Sequence, residues 1–216
     1  YCLENPEIFR TQLRAILKVA HLGNVEIMVP MVSTVEEIRQ VREFIHEVED
    51  ELRREGEKIS EKIPVGIMVE IPSTAVIADI MADYADFFSI GTNDLIAYSM
   101  AGDRLNERLA SLYQPAHPAI LRLLKHVIEV GEKKNKPVAV CGEMSSDIQY
   151  TILLLGMGLK TFSVVPPAIP EIKKVIRSVT MQDAQAIAKR AFEFEDAEKT
   201  LNFLREETRK IIPDVV

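Results

Sequence analysis

The sequence predicts an α/β protein of parallel strands, an incomplete (β/α)₈ barrel of the triosephosphate isomerase type with five strands, their helices and a C-terminal helical tail. Three observations predict it. Short β-rich runs alternate along the chain with stretches of helical period. Reactive side chains fall at the carboxyl ends of successive runs: Glu70 after Val65–Val69, Asn93 and Asp94 after Asp86–Ile90, Cys141 and Glu143 after Pro137–Val140. No Gly-x-Gly-x-x-Gly follows the first run, which counts against a dinucleotide-binding doubly wound sheet, the other architecture with this element order.

The elements follow in order. Asn5 as N-cap, Pro6 at the first helical position and Gly23 as a left-handed stop predict a helix over Pro6–Leu22. Its apolar stripe is Ile8, Phe9, Leu13, Ile16, Leu17 and Ala20. Val25–Val32 reads as a buried strand. Thr34 and Glu37 are spaced as a capping box before a helix with Val35, Ile38, Val41, Ile45, Val48 and Leu52 on one face. Glu55–Lys62, charged and broken by Gly56, is a solvated turn. Val65–Val69 is a strand, Ser73–Ala82 a short helix, and Asp86–Ile90 a strand followed by a long loop to about Gln114. Pro118–Lys133 is a helix, Pro137–Val140 a strand and Ile148–Leu155 a helix. Thr161–Val165 is the last strand, Pro170–Arg177 a helix, and Gln182–Arg209 a helical tail. Strands that each lead into a helix require right-handed parallel crossovers. A closed barrel takes eight strands, so about three are expected ahead of Tyr1. A first residue that is Tyr rather than Met fits a piece of a longer chain, with residues 1–216 read as one barrel domain.

Composition narrows the function classes. With 26 Lys and Arg against 33 Asp and Glu, the chain carries a formal charge of −7, the opposite of the basic footprint a nucleic-acid surface needs. Apolar residues make up 47%, enough to offset chain entropy and exclude disorder. The longest nearly apolar stretch, Thr151–Leu159, falls well short of the roughly 20 residues of a membrane helix. Cys2 and Cys141 cannot make a disulfide framework, so a cytoplasmic location is expected.

Two acids stand out. Glu70 ends GIMVE where a strand meets its loop, and Asp94 sits in SIGTND, where Gly91 lets the backbone turn tightly. Carboxylates converging at one barrel mouth make a hard-oxygen site suited to Mg²⁺. Helix capping is the competing reading, serious for Asp94 and weaker for Glu70, since Glu is a poor N-cap. Arg104 in AGDRLNER offers a planar fork of donors for phosphate or carboxylate. On spacing alone, a surface ion pair with Asp103 or Glu107 explains it better. Cys141, after VAV, reads more readily as buried filling than as a catalyst, although a protonated thiol there could donate a proton. His21, His46, His117 and His126 lack ligand spacing and read as structural. Met28 and Met31 read as core packing, and Gly156 and Gly158 as a turn.

The blocks IMVPMVSTVEE, GIMVEIPS, FFSIGTNDL, DRLNERLASLYQPAHPAIL, VCGEMSSD and LLLGMGLKTFSV run in order between Glu7 and Arg177. Together they resemble the C-terminal phosphoenolpyruvate-binding barrel of the enzyme I family, the phosphoenolpyruvate–protein phosphotransferases of bacterial sugar phosphotransferase systems. The resemblance implies that Glu70 and Asp94 hold Mg²⁺ and that Asn93, with the backbone beside Asp94, binds the phosphate. It implies that Arg104 binds and polarises the transferring phosphoryl group and that Cys141 protonates the pyruvate enolate. It also implies a homodimer, a phosphohistidine domain elsewhere in the parent chain and a phosphocarrier protein that receives the group. Ala97-Tyr98 stands where the family usually has Gln-Tyr. The family's further substrate-binding arginines lie on earlier strands, so this stretch alone is expected to be inactive in transfer. Pyruvate phosphate dikinase and phosphoenolpyruvate synthase share the SIGTND and CGE blocks and are the second reading; a non-catalytic dimerisation module is the third.

Overall fold

A computed structural model of the chain describes residues 1–60, 62–103, 106 and 108–213. Its centre is one parallel sheet in the order β1-β2-β3-β4-β5. The strands are β1 (Ile27–Val29), β2 (Val65–Val69), β3 (Phe88–Gly91), β4 (Val138–Cys141) and β5 (Thr161–Phe162). Neighbours in sequence are neighbours in the sheet throughout. A doubly wound sheet reverses its order at a switch point. This one does not, and the order is that of a barrel segment.

Helix α1 (Pro6–Ala20) precedes β1, and α2 (Val35–Arg54) joins β1 to β2. The capping box at its start is complete: Thr34 Oγ1 accepts from the Glu37 N–H, and Glu37 reaches back to the Thr34 N–H at 2.9 Å. Between β2 and β3 come α3 (Pro72–Val76) and α4 (Ala78–Met81), and after β3 come α5 (Thr92–Met100) and α6 (Pro118–Lys133). Beyond β4 lie α7 (Glu143–Ser146) and α8 (Ile148–Gly156), and beyond β5 lie α9 (Ile169–Ser178), α10 (Met181–Ala191) and α11 (Ala197–Ile211).

Several expectations are corrected. The segment after β3 is not all loop, because α5 occupies its first nine residues. Its start lacks a side-chain cap, and it is held instead by burial of Leu95 and Ile96. The first strand is shorter than Val25–Val32: Pro30 has no N–H for a ladder, and Met31 takes a left-handed φ of 57°. The last strand is likewise confined to Thr161–Phe162. Ser73–Ala82 is two helices, broken at Ile77, and the tail is two helices rather than one. Asn5 makes no side-chain cap; it donates to the Tyr1 carbonyl. Helix α1 ends at His21 in right-handed backbone, without Gly23. Met28 and Met31 are not core residues, being 42% and 50% exposed.

The pleat sorts the strands into two faces. Ile67, Val69, Phe88, Ile90 and Val140 point into the fully buried core beneath the helices. Register puts Met28 beside Gly66, and Met68 beside Ser89, Ala139 and Thr161, on the other face. Connections of one hand lay all crossover helices on the same side of the sheet. The opposite face therefore carries small, polar and sulfur-bearing side chains, as the inside of a barrel does. Helix α8 is buried from Tyr150 to Leu155, with α10 packed against it. Their approach is close: Gly156 faces the carbonyl of Ala184, where no Cβ would fit. Only Gly158, at φ +100°, turns the chain there.

Candidate functional site

One layer of the inner face lies at the carboxyl ends of the strands. The Val69–Ile90 pair brings the next residues, Glu70 and Gly91, side by side, and Gly91 pairs with Cys141. Glycine at 91 keeps this approach open, because a Cβ there would sit 2.9 Å from both Glu70 Oε2 and Met68 Sδ and displace one of them. Its absence leaves the space that the Glu70 side chain crosses toward α5.

Glu70 is only 3% exposed. Its Oε1 accepts a 2.7 Å hydrogen bond from the Met31 N–H, presented by the left-handed turn at the end of β1. Residues in that region other than glycine are strained, and such strain collects at functional sites. Asp94, exposed in the first turn of α5, stands beside the Glu70 carboxyl. Burial raises the Glu70 carboxyl above its ordinary range, the Met31 N–H opposes this, and the adjacent Asp94 charge raises it further. Two carboxylates forced together in this way are the donor set a divalent cation relieves. Among the described residues no group of three or more His, Cys, Asp or Glu is placed to hold a metal. Mg²⁺ does not need a third, since it keeps waters and takes ligand oxygens beside one or two carboxylates. The pair fits that ion.

Asn93 follows on the first turn of α5. Its Oδ1 accepts from the Tyr113 hydroxyl at 3.3 Å and from the Glu143 N–H at 3.1 Å. The carbonyl edge of the amide is thereby fixed toward α7, and its NH₂ edge turns the other way. Gly142, at φ +95°, permits this approach, for a Cβ there would sit 3.0 Å from Asn93 Oδ1. Cys141 closes β4, half-buried, with its carbonyl accepting from Thr92 Oγ1 at 2.8 Å. Its thiol lies 3.4 Å from the Ile90 carbonyl, to which it donates, and 3.5 Å from the Ser89 hydroxyl. A cavity of about 770 Å³ opens over this end of β4, bordered by Asn93, Cys141, Glu143, Asp147 and Ser163. A second hollow of about 490 Å³ is bordered by Asn93, Asp94, Tyr98 and Tyr113, so Asn93 stands between the two.

The structure thus brings Glu70, Asn93, Asp94 and Cys141 to one rim of the sheet. Arg104 lies outside the described residues. Asp94 is not an N-cap; that position is Gly91, and Asp94 sits within the helix. Glu143 is exposed and enters through its backbone. His117 has a definite structural task that spacing does not reveal: its ring Nδ1 caps α6 by accepting from the Ala119 N–H at 3.1 Å. The Met31 N–H, Ser89 and Tyr113 are missed by the sequence reading. Each is brought to the site only by contacts between residues distant in sequence, and no local pattern marks it.

Comparison with known proteins agrees in direction. A family model described as PEP-utilising enzyme, PEP-binding domain, where PEP is phosphoenolpyruvate, matches residues 1–181. The phosphoenolpyruvate-protein phosphotransferase of Staphylococcus carnosus is 46% identical over 208 residues, covering 96% of this chain and 36% of that protein. Its namesake from Bacillus subtilis is 47% identical over 205 residues, covering 95% and 36%. The chain therefore spans about a third of the length of these curated relatives. Among solved structures, a citrate lyase from Burkholderia xenovorans superposes with a TM-score of 0.57 at 16% identity, covering 93% of this chain and 69% of that one. That likeness is one of fold alone.

Proposed function

This chain belongs to the family of PEP-utilising enzymes as their PEP-binding domain, and from that premise we propose that it binds PEP for a phosphoenolpyruvate–protein phosphotransferase. The observation that supports the reading most is the apposition of Glu70 and Asp94, with Asn93 and Cys141 at the neighbouring strand ends. Glu70 and Asp94 would hold Mg²⁺, which supplies positive charge for the phosphate oxygens. Asn93 offers its NH₂ edge, and the first turn of α5 its backbone N–H groups, to the same phosphate. In this reading Arg104 binds and polarises the transferring phosphoryl group.

Once the phosphoryl group has left, the electron pair resides on the enolate of pyruvate. The Cys141 S–H bond then breaks, a C–H bond forms at the enolate carbon, and the sulfur keeps the pair. A neutral thiol is a suitable acid for so basic a carbon. The phosphoryl group would pass to a histidine of a separate domain and then to a phosphocarrier protein serving sugar uptake. His21, His46, His117 and His126 lack the Thr-Ser-His setting of such a histidine. A cytoplasmic homodimer belongs to the same reading, and light scattering tests the dimer. Among the described residues no helix is long and apolar enough to cross a membrane.

The test is calorimetric titration of the full-length protein with PEP in the presence of Mg²⁺. Binding is expected, and Asp94→Asn is expected to weaken it by about tenfold or more. Affinity unchanged by Asp94→Asn, or absent in the wild type, would overturn the proposal.

A further inference from the structure

Ser89 stands out on the inner face of β3. Its neighbours along the strand, Phe88 and Ile90, are fully buried and apolar, and Ser89 itself is 8% exposed. A buried hydroxyl needs a partner. The partner is sulfur: Ser89 Oγ lies 3.5 Å from Cys141 Sγ, across the β3–β4 pair. The same sulfur donates its proton to the Ile90 carbonyl at 3.4 Å.

These two contacts treat the protonation states of the sulfur differently. The Ile90 carbonyl can only accept, so it favours the S–H form and is repelled by a thiolate. The Ser89 hydroxyl can donate, and a hydrogen bond to a charged acceptor is about twice as strong as one between neutral groups. We infer that Ser89 is a positioning residue that holds the sulfur of Cys141 after its proton has gone to the enolate. This rests on the assignment of Cys141 as proton donor. In the step, the S–H bond breaks, the C–H bond forms, and the electron pair left on sulfur accepts the Ser89 O–H, which keeps its own proton. The Ile90 carbonyl then receives the S–H again when the thiol is restored from solvent.

The experiment is the pH profile of iodoacetamide alkylation at Cys141, on the full-length protein in a Cys2→Ser background. Cys2 lines a separate hollow between α1 and α2, beside Phe9 and Phe44. The titratable groups around the thiol are Glu143 and Asp147 on the cavity wall, Glu70 and Asp94 at the neighbouring strand ends, and Tyr113 behind Asn93. They are the same in every variant compared. Ser89→Ala is expected to move the midpoint up by about half a unit to one unit, a three- to tenfold slower reaction below it. Ser89→Thr, which keeps the hydroxyl, is expected to stay at the wild-type midpoint. An unchanged midpoint in Ser89→Ala overturns the inference, and so does a Ser89→Thr midpoint displaced as far as that of Ser89→Ala. Should Ser89→Ala fail to fold, Ser89→Gly, which also lacks the hydroxyl, takes its place with the same expected and overturning results. Alkylation uses no substrate, so these outcomes are separate from the test of Cys141 as an acid, which is loss of pyruvate formation in Cys141→Ala.

Discussion

Two carboxylates flank the same pair of strands and meet opposite fates. Asp86 stands just before β3 at the amino end of the sheet. Its Oδ2 accepts from the Val65 N–H at 2.8 Å and from both terminal nitrogens of Arg42 at 3.2 Å. Burial pushes its carboxyl up, but the Val65 N–H and Arg42 outweigh burial and hold it below its ordinary 3.8. Glu70 stands just after β2 at the carboxyl end, with one N–H and a second acid for company, and is pushed above its ordinary 4.5. The difference separates the two ends of a barrel-type sheet: the amino end balances its acid with a cation and an N–H, and the carboxyl end sets its acid beside a second one.

The sharpest way to break this contrast is activity. Glu70→Gln is expected to cost about a hundredfold or more in Mg²⁺-dependent pyruvate release from PEP, the scale of losing an electrostatic anchor. Asp86→Asn is expected to stay within about twofold of wild type, as a change remote from the chemistry should. Equal losses in the two variants would erase the distinction. Stability is expected to reverse the order. Asp86→Ala removes the charged partner of Arg42 and leaves the Val65 N–H unpaired, and should cost about 2 kcal/mol in urea denaturation. Glu70→Gln, without metal, removes a penalised charge while keeping an acceptor for Met31, and should leave stability equal or higher.

Gly91→Ala sharpens the comparison from the steric side. The added Cβ meets the Glu70 carboxylate and Met68, so PEP affinity by calorimetry should fall by about tenfold, near 1.4 kcal/mol. The smallest expected effect is in the pH dependence of the urea midpoint. Asp86 contributes stability that is present above its unfolded value and lost as pH falls through its depressed folded value. Glu70 has a raised folded value, so its contribution is greatest below the unfolded value and declines as pH rises through the folded one. Asp86→Asn should flatten the acid side of the profile, and Glu70→Gln should remove the decline above it.

Much of the scaffold was legible because it is written in local patterns. The capping box at Thr34 and Glu37, Pro118 at the first position of α6 and the apolar run of β2 need no knowledge of distant residues. Helix α5 was not legible: its first turn is Thr-Asn-Asp without a side-chain cap, and burial of Leu95 and Ile96 holds it. The residues at the strand ends could be picked out as Glu70, Asn93, Asp94 and Cys141, since strand order alone puts them at one rim. Their partners could not. Met31 reaches Glu70 across 39 positions, and Ser89 reaches Cys141 across 52, through contacts that only the assembled sheet creates.

The seat of α10 on α8 bears on where this unit of protein can be cut. The family match stops at residue 181, the very residue at which α10 begins, yet Gly156 is shaped to receive the Ala184 carbonyl. A polypeptide ended at the family boundary would uncover the face of α8 on which α10 and α11 pack, around Gly156, and is expected to become sticky. The last two helices are the lid of the core rather than an appendage, and a trimmed version should be drawn to keep them.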